Sequence, residues 1–352
     1  PSLSFHPSFS VPQKYNRMKK PANRLYMALA LGAGICLTAS CASDDGFATD
    51  EGALELQRIE VEGEESVTRA EATAITEVDV YATTTASATS PHAAYGDNPL
   101  MKFSLKEGVW TPDKQTIMNN TSGDALLYAY YPPAAIQASG DGEHTTAVNL
   151  PSSLTDFLAT GQADYLYGVG TDKSETVPVT ATLSSRTVSF KMKHALAKVS
   201  FRIVKSASAT EALKLIQVDV LSGTNRLRTG IGTMNLKSGL LNSLSDISTL
   251  TLAQASGVEL KLKENQKGPN VTCLVAPMAK EETVLSFRLK VCVDGEAAAK
   301  AHAFETQSVT AQWEAGKHYV YLITVDKMGG KLSSVQIEDW KNDANQNTSI
   351  GI

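Results

Sequence analysis

The side chain with the clearest chemical prospect is the thiol of Cys41, which directly follows the small residues Ala39 and Ser40. Upstream of it lie a basic stretch that begins at Met18 and an apolar run of 15 residues, 25–39. A positive stretch, an apolar run and small residues are the parts of a secretion signal, and 15 residues are fewer than the about 20 that span a bilayer. A cysteine at the cleavage position suits attachment of a lipid, so we predict palmitate-type acylation of Cys41.

The same pattern divides the beginning of the chain. Residues 1–17 lack an initiating methionine, and we interpret them as translated upstream sequence outside the working protein, whereas residues 18–40 are the predicted lipoprotein signal peptide. Leu37 stands four residues before Cys41, where three is the common spacing for a lipoprotein. An ordinary secretory signal followed by a chance cysteine is therefore the alternative interpretation.

The rest of the sequence shows no spacing typical of a catalytic or metal site. None of the six histidines has a histidine or carboxylate partner at metal-ligand spacing. Two lone glycine pairs, at 168/170 and 230/232, lack the strand-to-helix context of a phosphate-binding loop. Neither a Gly-x-Ser-x-Gly elbow nor a catalytic cysteine setting is present. We therefore predict a protein that is not an enzyme and uses no cofactor or metal.

Two cysteines remain beyond the signal, Cys273 and Cys292, and each lies in an apolar, strand-like run. Buried free thiols are the preferred interpretation, because cysteine packs as a small apolar residue. A disulfide between neighbouring strands is the alternative, and it would need Cα atoms within about 7 Å of each other.

The charge of the chain restricts its partners. Beyond residue 40 there are 27 basic and 37 acidic residues. A nucleic-acid partner is disfavoured, because such a protein must neutralise phosphates. The excess of acidic residues favours a soluble surface.

Period-2 alternation of apolar and polar residues dominates the chain and predicts strands. The strand-like segments are residues 54–61, 78–82, 126–133, 188–192, 196–203, 258–262, 272–275, 285–291, 319–325 and 332–340. Helical patterns are sparse, and only residues 152–159 and 210–216 are candidates for short helices. Many short strands separated by turn clusters predict an all-β fold of the sandwich class.

Residues 41–69 form an acidic N-terminal segment, a propeptide or tether, that contains one of these strand-like pieces, residues 54–61. Arg69 follows in a polar linker, and linkers of this kind are easily cut. The simpler interpretation is a flexible tether between a lipid and the fold.

Five segments, taken in order over about residues 70 to 340, resemble the fimbrillin family, the type V pilins of Gram-negative anaerobes, including the Mfa-like group. The segments are Leu127-Tyr-Ala-Tyr-Tyr-Pro132, Asp164-Tyr-Leu-Tyr-Gly168, Val188-Ser-Phe-Lys-Met-Lys-His194-Ala-Leu-Ala-Lys-Val-Ser-Phe201, Trp313-Glu-Ala-Gly-Lys-His-Tyr-Val-Tyr321 and Ile337-Glu-Asp-Trp340. The resemblance implies two transthyretin-like β-sandwich domains in tandem, over residues 70–193 and 194–352.

The resemblance also implies how the protein is delivered, cleaved and assembled. A subunit of this family reaches the outer membrane as a lipoprotein, and an arginine-specific protease then cuts it, here between Arg69 and Ala70. Loss of residues 41–69 would leave a groove with unpaired backbone groups, which a strand from another subunit can fill. Because that contact is head-to-tail, it propagates into an extracellular fimbria.

The expected partners are therefore other fimbrial subunits, the outer membrane through the lipid before processing, and a host or bacterial surface ligand, with no nucleic acid. The sequence leaves open which strand is donated and whether the chain is a stalk, tip or accessory subunit. The competing hypothesis is a surface glycan-binding lipoprotein that does not polymerise, with Trp110, Tyr128 and Tyr130 lining a sugar site. A surface hydrolase is disfavoured, because no spacing suggests the necessary pair of carboxylates.

Overall fold

A computed structural model describes residues 52–63, 75–85, 92–119, 123–224, 226–278, 283–326 and 329–339. The predicted upstream and signal segments, residues 1–17 and 18–40, lie outside the described residues, as do Cys41, Arg69 and Ala70. Among the described residues, no helix has the length and apolar character needed to cross a membrane.

Thirteen strands precede the junction at residues 195–196. They are β1 (Gly52–Ala53), β2 (Glu55–Val61), β3 (Glu77–Thr84), β4 (Leu100–Lys106), β5 (Val109–Pro112), β6 (Ile117–Met118), β7 (Ala125–Tyr131), β8 (Ile136–Gln137), β9 (Thr145–Leu150), β10 (Ser153–Leu154), β11 (Leu166–Gly170), β12 (Val179–Ala181) and β13 (Thr187–His194).

Twelve strands follow the junction. They are β14 (Ala197–Lys205), β15 (Leu213–Ser222), β16 (Leu227–Asn235), β17 (Leu241–Asn242), β18 (Ser245–Ile247), β19 (Thr249–Glu259), β20 (Val271–Val275), β21 (Thr283–Val293), β22 (His302–Glu305), β23 (Val309–Ala311), β24 (Lys317–Asp326) and β25 (Gly329–Asp339). One 3₁₀ turn, Ala298–Lys300, is the helical element in the part of the chain that the structure describes.

The first sandwich is an eight-stranded sheet that curls around its own core. Its order is β2-β13-β11-β7-β3-β4-β5, with β12 also paired to β7. The two ends approach each other, so that β2 lies beside β5. Alternate residues of the strands, among them Val78, Val80, Leu127 and Phe190, fill the enclosed core, as expected from the side-chain period of two.

The second sandwich packs two sheets face to face. One has the order β10-β19-β15-β21-β22, with β23 added to β21, and the other has the order β20-β14-β24-β25. Aromatic rings fill the space between the sheets: the Phe201 ring lies 5.0 Å from that of Phe287 and 5.5 Å from that of Tyr321. Buried Trp313 donates its indole N–H to the Tyr321 hydroxyl at 2.9 Å.

A third core joins the two sandwiches. The tyrosines of β3 and β7 that alternate away from the first core, Tyr81, Tyr128 and Tyr130, pack with residues of β9, β16 and the junction. Strand β9 pairs antiparallel with β16, and these two strands lie on opposite sides of the boundary predicted between residues 193 and 194. That boundary stays a prediction.

The predicted fold class is confirmed: the protein is all-β, with two β-sandwiches in tandem. The two candidate helices are wrong. In residues 152–159 the Asp156 carboxylate accepts bonds from the N–H groups of Leu158 and Thr160 and fixes a turn. Residues 210–216 lead into β15, a central strand paired on both sides, where ladder formation overrides local helical spacing.

The preferred interpretation of the two cysteines is confirmed, because Cys273 and Cys292 are both free and buried. Burial raises the pKa of the Cys273 thiol to about 12. Such a thiol stays protonated and unreactive near neutral pH.

Candidate functional site

The strand-like piece of the N-terminal segment is an integral strand of the first sandwich. Strand β2 pairs in parallel with β13 at the edge of the eight-stranded sheet. Leu54, Leu56 and Val61 are 1%, 5% and 7% exposed, respectively, and belong to the first core. The interpretation of residues 54–61 as part of a loose tether is therefore replaced by that of a strand that closes a core.

A bulge lets both halves of β2 face the same core. Val188 pairs with Leu56 and Ser189 with Arg58, so Gln57 is an extra residue that has no pairing partner in the register with β13. An extra residue shifts the side-chain alternation by one position. As a result, Leu56 faces inward before the bulge and Val61 faces inward after it.

The N-terminal end of β2 is held by main-chain bonds. Leu54 donates its N–H to the Thr116 carbonyl at 3.0 Å, and Glu55 donates to the Arg186 carbonyl at 3.0 Å. Just before this point, β1 pairs with β6. The segment is therefore anchored on two sides, by β13 and by the stretch that leads into β6.

The apolar contribution of β2 is large compared with the stability of a domain. Complete burial of a Leu or Val side chain is worth about 1.5 to 3 kcal/mol, so Leu56 and Val61 of β2 and the preceding Leu54 together contribute about 5 to 9 kcal/mol. The net stability of a domain is about 5 to 15 kcal/mol. The first sandwich without β2 would therefore be a poorly covered core with an open edge.

The C-terminal end of β2 meets a buried polar pair. Glu62 donates its N–H to the Met192 carbonyl at 2.8 Å. The Glu62 carbonyl lies 3.2 Å from Nε2 of His194, and Nδ1 of that ring lies 2.7 Å from Oδ2 of Asp164. The side chains of His194 and Asp164 are 0% and 2% exposed.

Charges surround the same end on the outer face of the sheet. The Lys191 ammonium lies 2.7 Å from the Glu175 carboxylate and 3.7 Å from that of Glu62. Lys193 also pairs with Glu175. The hydrogen bonds from Lys191 and Lys193 lower the pKa of the Glu175 carboxyl, and the bond to Glu175 raises the pKa of Lys191.

The residues predicted to be acylated and cleaved are not among those that the structure describes. Cys41, Arg69 and Ala70 lie outside the described residues, so acylation and cleavage stay predictions. The covalent path from β2 to β3 runs through residues 64–74, and Arg69 lies within that stretch. A cut at Arg69 would leave β2 attached to its sheet by non-covalent contacts alone.

The aromatic residues of the glycan hypothesis do not form one exposed platform. Tyr128 and Tyr130 are buried at 1% and 0% exposure, and Trp110 of β5 is half-buried. Within the described ranges, no group of three or more His, Cys, Asp or Glu residues is placed to hold a metal ion.

Asp164 and His194 were not singled out as a pair by the sequence. They are 30 residues apart and meet because β11 and β13 are neighbours, with Leu166 opposite His194. The available signal was that each lies in a segment that resembles the fimbrillins, Asp164-Tyr-Leu-Tyr-Gly168 in one case and the run around His194 in the other.

Comparison with protein-family models decides the family. Residues 68–340 match the model described as fimbrillin-like. The chain belongs to the fimbrillin-like family. Membership supports a fimbrial or adhesin subunit at the cell surface or outside the cell, with a structural and non-enzymatic role.

Solved structures of other proteins share this fold. A candidate cell adhesion protein of Bacteroides uniformis superposes with a TM-score of 0.52 at 18% identity, covering 83% of this chain and 100% of that one. A fimbrial protein of Bacteroides vulgatus gives a TM-score of 0.52 at 11% identity, covering 82% and 99%. A search among curated protein sequences gives no significant match.

Proposed function

We propose that this fimbrillin-like chain is a subunit of a cell-surface fimbria that is delivered as a lipoprotein, cut after Arg69 and assembled by donor-strand exchange. In this scheme, Cys41 carries the lipid that holds the precursor at the outer membrane. Cleavage frees β2, and a strand from another subunit takes its place beside β13.

The observation that carries the proposal is the position of β2. It is an edge strand, it covers the first core with Leu56 and Val61 together with Leu54 directly before it, and it precedes Arg69 in the chain. Its loss exposes both a row of main-chain groups on β13 and an apolar groove, which together accept an added strand. The family match begins at residue 68, after β2 and one residue before Arg69, which supports a boundary at this point of the chain.

Controlled proteolysis tests the proposal. The chain is incubated with a trypsin-like protease, alone and with a second fimbrial subunit, and the products are separated without heating. We expect cleavage after Arg69, release of the fragment that contains β2, and ladders of joined subunits. Arg69→Ala should block all three, because the protease needs the arginine.

The matched control is Arg58→Ala, which removes an exposed arginine within β2 whose one ion pair, with Glu60, lies on the surface. This variant should still be cut after Arg69 and form ladders. A cut chain that keeps β2, or that loses β2 and joins neither itself nor a second subunit, would contradict the proposal. Ladders of the chain alone would indicate a stalk subunit, and ladders only in mixtures would indicate a tip or accessory subunit.

Acylation is tested separately by metabolic labelling with a palmitate analogue. Wild-type chain should be labelled and recovered with outer membranes, and Cys41→Ser should be neither. Cys273→Ser is the matched control, because Cys273 is a buried free thiol in β20 that should not affect labelling. Full labelling of the Cys41→Ser variant would contradict a lipid at that position.

A further inference from the structure

The end of β2 lies where the chain passes from one sandwich to the other. His194 is the last residue of β13, and residues 195–196 lead directly into β14. Ala195 donates its N–H to the Tyr165 carbonyl at 2.8 Å, and the Leu196 carbonyl accepts from Gly316 N–H at 2.9 Å. The chain directly after His194 is therefore held by main-chain bonds to a residue before β11 and to a residue before β24.

The partners of the His194 ring define where its protons are. Both facing atoms, the Asp164 carboxylate oxygen and the Glu62 carbonyl oxygen, are acceptors. Nε2 faces the Glu62 carbonyl and therefore donates its N–H to that oxygen, while the Asp164 carboxyl holds the other ring nitrogen, Nδ1. Both side chains are buried away from competing water, which strengthens these hydrogen bonds.

The structure assigns to the Asp164–His194 pair the role of a carbonyl latch, which binds the main chain at the end of whichever strand occupies the groove beside β13. In the uncut chain that strand is β2, and the bound group is the Glu62 carbonyl. In the assembled state, which rests on the proposed function, it is a strand of another subunit.

The latch and the bulge together specify the incoming strand. A main-chain carbonyl is present in every sequence, so the latch does not select side-chain identity, which is left to the apolar core. The latch fixes the register and the direction of the strand. The strand must run parallel to β13, as β2 does. It must present apolar side chains where Leu56 and Val61 lie, with an extra residue between them, and place a free carbonyl one residue after the second.

Contact with the second sandwich makes this end of the groove a junction. Gly316 precedes β24, has a φ of 72°, and lies so close to Glu62 that a Cβ there would be 3.4 Å from Oε2 of Glu62. In the uncut chain, the residue whose carbonyl the latch binds therefore also places its side chain near the loop before β24.

Hydrogen exchange in the uncut full chain tests the latch directly. His194→Phe and Asp164→Asn should each accelerate amide exchange in peptides that cover residues 58–63 by about tenfold or more, because the hydrogen bond to the Glu62 carbonyl is lost or weakened. Peptides from β21 should be unchanged. Unaltered exchange at residues 58–63 in both variants would overturn the assignment.

Asp219→Asn is the matched control. Asp219 is as buried as Asp164, at 1% exposure, and it pairs with the side chain of Arg288, but it lies in the second sandwich. This variant should leave exchange in residues 58–63 at the wild-type rate. Acceleration equal to that of Asp164→Asn would show a general loosening of the protein and overturn a specific role for the pair.

A measurement on the unmutated chain keeps the test independent of folding defects. Long-range ¹H–¹⁵N spectra of the imidazole nitrogens should show a proton on Nε2 of His194 and a coupling from Nε2–H to the Glu62 carbonyl. A ring without a proton on Nε2 would overturn the latch.

Recognition of the carbonyl of an added strand is tested on the cut chain with a synthetic peptide of residues 52–63. Replacing the Glu62 carbonyl of the peptide with a methylene should weaken its binding by about tenfold or more. Equal binding of the two peptides would overturn recognition of the carbonyl. A cut chain that never releases β2 would contradict the proposed function, whereas exchange data on the uncut chain would still decide the latch.

Discussion

The side-chain amide of Gln162 pairs with the main chain of Leu274 in the way that a neighbouring strand would. Its Nε2 donates to the Leu274 carbonyl at 2.9 Å, and its Oε1 accepts from the Leu274 N–H at 2.7 Å. Leu274 lies in β20, at the edge of the four-stranded sheet. Gln162 thus blocks an edge that could otherwise accept a strand, in a protein whose proposed assembly depends on strand addition elsewhere.

Gln162→Ala should therefore destabilise the second sandwich and create a second site of strand addition. Two buried main-chain groups would lose their partners, at about 1 to 3 kcal/mol each. Urea unfolding should show a loss of about 2 to 6 kcal/mol, with faster aggregation. Gln137→Ala, at an exposed position of the short strand β8, is the control. Equal stability of both variants would contradict the role given to Gln162.

Leu56→Ala should shorten the time for which the cut chain keeps β2. Truncation of a buried leucine costs about 2 to 5 kcal/mol, and here the cost is borne by one edge strand. The dissociation of the fragment after proteolysis, followed by size-exclusion chromatography, should be at least tenfold faster than in wild type. Gln57→Ala changes an exposed bulge residue and should leave the rate unchanged, and a comparable acceleration there would contradict the importance of core contacts.

Gly168 should not tolerate a side chain. A Cβ at this position would lie 2.7 Å from Cβ of Ala129 and 3.0 Å from Cδ1 of Phe190. Gly168→Ala should therefore cost about 1 to 3 kcal/mol through overpacking of the first core. Gly161→Ala meets no atom within 4 Å and should be neutral or slightly stabilising. Thermal unfolding of the two variants makes the comparison, and similar midpoints would contradict it.

His318 should make the second sandwich sensitive to acid. Burial, aided by the nearby charge of Lys198, lowers the pKa of His318 from 6.5 to about 4. Between these two pKa values, the unfolded chain therefore binds a proton at His318 that the folded chain does not bind. The contribution of the neutral His318 ring to the free energy of unfolding is present above pH 6.5 and is lost as the pH falls towards 4. Its maximum is about 3 kcal/mol.

Urea unfolding between pH 7 and pH 4 checks this prediction. His318→Asn should reduce the fall in stability, and His302→Gln, at an exposed position, should not. The lowered pKa of His144 acts in the same direction in every variant, and the raised pKa of Asp79 acts against it, both through burial. An unchanged pH dependence in His318→Asn would show that this ring is not the cause.

Much of the fold could be predicted from alternation. Strands β3, β7, β13, β14, β21 and β24 all lie on predicted segments, because their apolar residues recur with a period of two. The candidate helix at residues 210–216 failed because tertiary pairing of β15 on both sides outweighs local propensity. Strands rich in threonine, glycine and asparagine, such as β9 and β16, carry too weak an apolar pattern to be found in this way.

The site was only partly visible in the sequence. Residues 54–61 were predicted as a strand, but the bulge at Gln57 was not, because the pairing partner that defines a bulge is known only from the fold. The Asp164–His194 pair was missed for a similar reason. Each residue alone gives no metal or catalytic spacing, and their contact exists only because β11 and β13 are adjacent.

The connection between β2 and β3 also determines which strand can occupy the groove beside β13. While residues 64–74 are intact, β2 competes for its place as an intramolecular ligand, with an effective concentration on the order of millimolar for a short connection. A separate subunit, present at a far lower concentration, cannot displace it by mass action. Under the proposed function, one broken peptide bond would remove that advantage, so a precursor held at the membrane would not assemble prematurely, and the protease would set the time of polymerisation.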